Sequence, residues 1–211
     1  MAMRKAKNVL TGFLYHVHQP FTTNPAMTTP FWMGKIYLVP FGEIEEGVLE
    51  HLVKTLPGVL GYETAKLLSR PYPGRSYDPF RRQYRGEAFL EALPQGGPDR
   101  YVGLVEADLY VPPLNFIFGL ADRATGRAVV ALPRLRQEFY GLRPDRERFL
   151  ERVVKEVLHE LGHTWQLGHC PNPLCVMHFS NSLADTDRKE PRYCPRCLAQ
   201  MPFSLAAKKT A

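Results

Sequence analysis

Between His159 and Cys197 the chain places four of its seven histidines, three of them at metal-ligand spacing, and all four of its cysteines. No other stretch constrains the fold so tightly, because side chains that share a metal must come within a few ångströms of one another. The run opens HELGHTWQLGHC, passes through PNPLCVM and closes on CPRC. The residues leading into it decide how it is carried. Phe149, Leu150, Val153, Val154, Val157, Leu158 and Leu161 recur at helical spacing, which predicts a helix from about Pro144-Asp145 onward, with proline and acids in the first turn. At ~100° per residue, His159 and His163 fall on roughly the opposite side from that stripe. A helix docked by its apolar face then presents both imidazoles to a cleft.

His159-Glu160-Leu161-Gly162-His163 is an HExxH motif. The i,i+4 spacing suits two positions on a tetrahedral zinc, and Glu160 can reach a metal-bound water without itself binding the metal. Two surface histidines on a helix spell the same motif by chance. His169 tips the balance, because it lies six residues past His163, beyond the predicted helix end, where a third ligand approaching from a turn belongs. Three protein ligands leave a position open for water, as in catalytic zinc sites, and such a water has a pKa of about 7. In this reading the chain hydrolyses peptide bonds through a zinc-bound water. Glu160 is the general base that passes the proton to the leaving amine.

Cys170, Cys175, Cys194 and Cys197 form a C-x4-C…C-x2-C set. Such pairs bring four thiolates together as a closed tetrahedral zinc site, and the spacing favours that over two disulfides or an iron–sulfur cluster. The start, MAMRKAKNVLTGFLYHV, imitates a secretion signal only loosely, which also argues against disulfides. Cys170 directly follows His169, so a second zinc is expected to fix the turn carrying the third catalytic ligand.

The whole pattern resembles the metzincin metallopeptidases (HExxHxxGxxH followed by a Met-turn), and more closely the archaemetzincins. The latter add a Cys directly after the third His, a second five residues on, a Met two further, and a distant CxxC. Here those are Cys170, Cys175, Met177, Cys194 and Cys197. The run Ala107–Val111 through Leu114–Gly119 also resembles the family's central segment, and the likeness spans roughly residues 35–200. It implies a zincin-like α/β sandwich, with a mixed, mostly parallel sheet, an active-site helix and a small C-terminal zinc-bound subdomain at about 159–200. It also implies two zinc ions per chain and Met177 as an apolar floor that packs without ligating. His178 and Tyr193 read as ordinary loop residues. The family's glycine three residues after the second His is Gln166 here, with Gly168 nearby. A side chain forced into left-handed backbone costs on the order of 1 kcal/mol, so either Gln166 accepts the turn or Gly168 shifts it. A displaced His169 would leave the alternative function, a zinc-stabilised peptide-binding module with little or no catalysis.

The rest of the chain reads as scaffold. Strands are predicted at Lys35–Val39, Glu63–Leu68 and Arg100–Val105, with helices over Ile44–Leu56, ended by Pro57-Gly58, and Phe80–Leu93. Phe116–Leu120 and Ala128–Leu132 flank the turn Asp122–Gly126 as an antiparallel pair. The first of these is a candidate edge that holds an extended peptide by strand addition. Residues 33–211 are expected to form one metallopeptidase domain. Residues 1–32, rich in Thr and Pro around FTTNPAMTTPFW, are expected to be a poorly ordered extension in which His16 and His18 bind nothing. The charge of +6 is spread along the chain without a nucleic-acid motif, and no apolar run reaches the ~20 residues of a membrane span. These features point to a cytoplasmic, monomeric zinc peptidase whose partner is a peptide or protein substrate.

Overall fold

The structure is a computed structural model that describes residues 34–95 and 97–201; the segment 1–32, with His16 and His18, lies outside the described residues. A five-stranded sheet has the order β2-β1-β5-β8-β7. Its strands are β1 (Ile36–Phe41), β2 (Thr64–Lys66), β5 (Arg100–Val105), β7 (Gly119–Asp122) and β8 (Arg127–Ala131). The pairs β1–β2, β1–β5 and β5–β8 are parallel and β7–β8 is antiparallel, giving the mixed, mostly parallel sheet expected. A second, small sheet joins β3 (Tyr77–Asp78), β4 (Gln83–Arg85) and β6 (Leu109–Tyr110).

Both faces of the main sheet are buried, which is why its central strands read as nearly unbroken apolar runs. Ile36, Leu38, Val102, Leu104, Ala128 and Val130 pack with α1 (Glu46–Leu60) and α3 (Arg146–Thr164). The alternate positions Val39, Phe41, Val105, Val129 and Ala131 pack with Phe89, Leu90 and Leu93, from and just beyond α2 (Gly86–Ala92). Period-two alternation along each strand therefore assigns one set of side chains to each helical layer.

Four boundaries differ from the sequence expectation. α1 runs through Pro57 to Leu60 and closes on Gly61, whose φ of 70° lets its N–H return to the Pro57 carbonyl at 2.9 Å. The buried Leu60 keeps the last turn folded, and the missing proline N–H removes one ladder bond without ending the helix. The predicted helix over Phe80–Leu93 begins only at Gly86, because the preceding residues extend as β4 between β3 and β6. The strand at Glu63–Leu68 shortens to Thr64–Lys66. The edge strand lies at Gly119–Asp122 rather than Phe116–Leu120, since Ile117 bridges to Leu109 instead of to β8.

Candidate metal centre

Helix α3 starts where Asp145 caps it, accepting a hydrogen bond from the Arg148 N–H at 3.0 Å. Val153, Val154, Val157, Leu158 and Leu161 seal its core face. The opposite face is not open to solvent throughout. Arg152, Lys155 and Glu156 are buried under α4 (Leu183–Arg188) and the residues after it, and only the stretch from Glu156 to His163 lines a cavity of about 320 Å³. Its apolar wall comes from Phe116, Ile117, Phe118 and Leu120, and Phe179 stands at His169.

Each helix-borne histidine is oriented through its Nδ1. The His159 Nδ1–H donates to the Val176 carbonyl at 2.8 Å and the His163 Nδ1–H to the Leu167 carbonyl at 2.8 Å. Both Nε2 atoms then carry lone pairs, and they face each other at 3.1 Å. Two lone pairs held that close repel unless a cation lies between them. Nitrogens bound at ~2.0–2.1 Å to a tetrahedral zinc stand about 3.3 Å apart, so the donor set fits that ion. His169 completes the group, and the three ligand atoms lie within 4.8 Å of one another. Burial holds the His159 pKa well below the usual imidazole value, with the charge of Lys189 adding to it. Burial lowers His163 to about 4, and burial followed by the charge of Arg123 lowers His169. All three rings are thus neutral near pH 7, the form that binds metal.

The turn between His163 and His169 is built on Gln166. Its φ is 69°, and Gly168 is not in the left-handed region. The Leu167 N–H returns to the Gly162 carbonyl at 3.0 Å and the Gln166 N–H to the His163 carbonyl at 2.9 Å, the paired bonds of a Schellman helix end. Gln166 therefore accepts the position that glycine holds elsewhere. Its Nε2 donates to the Arg123 carbonyl at 2.6 Å, an interaction of the size that offsets the left-handed penalty. The same turn delivers the carbonyl of Leu167 that orients His163.

Glu160 is only 5% exposed. Burial and the nearby Glu156 carboxylate push its pKa well above the ordinary range, against the pull of Lys189. Its carboxyl group lies against the backbone of β7, where a Cβ on Gly119 would come within 2.5 Å of Oε1. Gly162 is equally confined, since a Cβ there would sit 2.3 Å from Met177 Sδ. Met177 is fully buried against Gly162 of α3, and the Tyr193 hydroxyl donates to the Leu158 carbonyl at 2.6 Å. His178 has a partner that spacing alone did not reveal, the Cys170 carbonyl at 2.8 Å. Gly119 and Gly162 build the site without standing out in the sequence, and Tyr193, expected to be an ordinary loop residue, braces α3 through Leu158. The only signal for the first two was a glycine inside an element where it weakens intrinsic propensity.

The four cysteines are free thiols whose Sγ atoms also lie within 4.8 Å of one another. Cys170 and Cys194 are 3.8 Å apart and Cys175 and Cys197 3.7 Å. Those separations match the roughly 3.8 Å of thiolates at ~2.3 Å from a tetrahedral zinc and are far from a disulfide's ~2.05 Å. Burial pushes the Cys175 and Cys197 thiols up. Cys194 titrates at about 7, because backbone and side-chain hydrogen bonds, led by the Cys197 N–H, outweigh its burial. The quartet abuts the histidines twice: Cys170 directly follows His169, and Cys175 adjoins Val176, whose carbonyl holds His159.

The archaemetzincin of Thermococcus kodakarensis is 43% identical to this chain over 174 residues, covering 78% of this chain and 94% of that protein. The chain belongs to the archaemetzincin family. The family profile described as Peptidase family M54 matches residues 99–202, from β5 through the last cysteine. Among solved archaemetzincins, that of Methanopyrus kandleri is 41% identical with a TM-score of 0.69, covering 81% of this chain and 94% of that one. That of Archaeoglobus fulgidus, in complex with malonate, is 36% identical with a TM-score of 0.71, covering 79% and 99%. The matched archaemetzincin segment contains both candidate ligand groups and the Gln166 turn. No helix of the described residues is long and apolar enough to cross a membrane.

Proposed function

We propose that this archaemetzincin is a zinc-dependent metallopeptidase whose zinc is held by His159, His163 and His169, with Glu160 as general base. We further propose that Cys170, Cys175, Cys194 and Cys197 hold a second, structural zinc in one domain spanning residues 33–211. The observation that carries the reading is the pair of Nε2 lone pairs 3.1 Å apart beside the buried Glu160 carboxylate. When bound at the histidines, zinc supplies Lewis-acid polarisation of a carbonyl and acidifies a water. Glu160, set on α3 against Gly119, would accept a proton from the attacking water and pass it to the departing amine. Its raised pKa favours holding the proton in transit. A substrate lies along β7, which pairs only with β8 among the described strands and so offers backbone groups for strand addition. The apolar cavity takes one side chain.

The binding-module alternative rested on a Gln166 that displaces His169. With Gln166 at a φ of 69° and His169 within ligand distance, nothing in the geometry favours it. A peptide or protein substrate and a cytoplasmic, monomeric state complete the proposal. Quenched fluorogenic peptides test the activity. Glu160→Gln is expected to lower kcat by about 10²–10⁴-fold while zinc content stays at the parent value; turnover at the parent rate would sink the assignment of the base.

A further inference from the structure

The turn between β7 and β8 carries a cation directly at the mouth of the site. Arg123 is exposed and lines the cavity that contains His163, His169 and Glu160. It also lines the adjoining hollow with Thr164, Trp165 and Gln166. The acid beside it is already committed: the Asp122 carboxylate accepts from Thr125, from the Ala124 N–H and from Arg127 at 3.3 Å. Among the described residues, only the backbone carbonyl of Arg123 is engaged, by the Gln166 side chain. The guanidinium is close enough that its charge contributes to lowering the pKa of both His163 and His169.

We propose that Arg123 is a specificity-determining residue that receives a carboxylate of the substrate, and that Gln166 anchors the hairpin tip which presents it. The inference rests on the peptidase reading for the word substrate, but its geometry does not depend on turnover. Glu160 marks the reacting position against Gly119. From Gly119 to Arg123 is four strand residues, roughly 14 Å at about 3.4 Å each. A peptide added antiparallel to β7 runs its N-terminal side toward Arg123. An acidic side chain three or four residues before the scissile bond is therefore placed at the guanidinium. The same chemistry is offered by a terminal carboxylate on a peptide bound in the other direction.

The experiment uses the zinc-loaded full chain and quenched peptides in which one Glu is walked from four residues before the cleaved bond to four after it. Each has a Gln twin, and each pair is made with free and amidated C-termini. The readout is the Glu/Gln ratio of kcat/KM, from which any loss common to both twins cancels. The parent is expected to prefer Glu about five-fold three or four residues before the bond, an effect that fades in high salt. Arg123→Gln is expected to bring the ratio to about one, and Gln166→Gly to reduce it. A preference that instead follows the free C-terminus and disappears in Arg123→Gln assigns the carboxylate to the chain end. A ratio unchanged by Arg123→Gln in every pair overturns the proposal. If no peptide is cleaved by the parent, the peptidase reading fails separately. Anisotropy of labelled Glu and Gln peptides then decides the matter: equal binding to the parent, or a Glu preference that survives Arg123→Gln, overturns it.

Discussion

Two glycines in helix interiors, Gly162 in α3 and Gly58 in α1, should respond to alanine with opposite signs. Replacing glycine by alanine inside a helix ordinarily stabilises by about 1 kcal/mol. At Gly58 nothing lies within 4 Å of the added Cβ, so Gly58→Ala is expected to realise most of that gain. At Gly162 the Cβ would lie 2.3 Å from Met177 Sδ and 3.0 Å from both Met177 Cε and Tyr193 Cε1. That is far inside the ~3.5–4.0 Å at which such atoms attract. Met177 is 0% exposed and Tyr193 5%, and the Tyr193 hydroxyl is tied to Leu158, so neither yields freely. Overpacking of a filled core costs about 1–3 kcal/mol. Taking the upper end and subtracting the propensity gain leaves Gly162→Ala destabilised by about 2 kcal/mol. The Met177 carbonyl accepts from the Cys170 N–H at 2.8 Å, so the displaced turn also moves His169, and zinc affinity is expected to fall. Denaturant titrations at fixed free zinc measure the first effect, since bound metal shifts apparent stability by mass action. Competition with a chromogenic chelator measures the second. A Gly162→Ala chain as stable as its parent, with parent-like zinc affinity, would falsify the claim that the Met177 contact requires glycine.

Gly119→Ala places a methyl within 2.5 Å of the Glu160 carboxyl group; kcat should drop by about 10–100-fold with zinc stoichiometry unaltered, and metal loss instead would point to a general collapse of the site. Cys194→Ser is expected to empty the thiolate group and to weaken zinc at the histidines by about 10–100-fold, because Cys175 and Cys170 adjoin the Val176 carbonyl on His159 and His169 itself. Histidine-site affinity equal to the parent's in that variant would break the coupling. In the metal-free protein, His163 titrates at about 4 when folded against 6.5 for the free side chain. As pH falls between those values the unfolded chain takes up a proton that the native chain does not. Stability is therefore complete above about pH 6.5 and lower by up to about 3 kcal/mol near pH 4, with the buried His159 adding in the same direction. Urea midpoints in chelator across that range check the slope, and a flat profile would refute it.

Much of the site was legible in the sequence because its geometry is local. Histidines at i and i+4 on a helix share a face whatever surrounds the helix, and thiolates spaced as C-x2-C converge on one ion. The order of strands and helices was readable for the same reason, since periodicity reports which side of an element is buried. Less was readable where distant segments compete. Residues Gln83–Arg85 carry a helix-compatible pattern, yet they extend because Gln83 donates to Asp108 and Asn115, residues far along the chain. Pro57 and Gly58 look like a helix end, yet burial of Leu60 carries the helix past them.

By itself, then, the sequence determined the donor atoms, their spacing, and the helix that holds two of them. The tertiary structure decided three things that spacing cannot encode. It chose which carbonyls lock the imidazoles, Val176 and Leu167, so that both Nε2 atoms point at one position. It required glycine at 119 and 162, where a strand and a methionine press on the helix. It also showed that Gln166 holds the left-handed turn by bonding to the β7–β8 hairpin. Apart from the local His163–Leu167 bond, each is a contact across elements, and its energy exists only once the sheet, α3 and the C-terminal segment have packed.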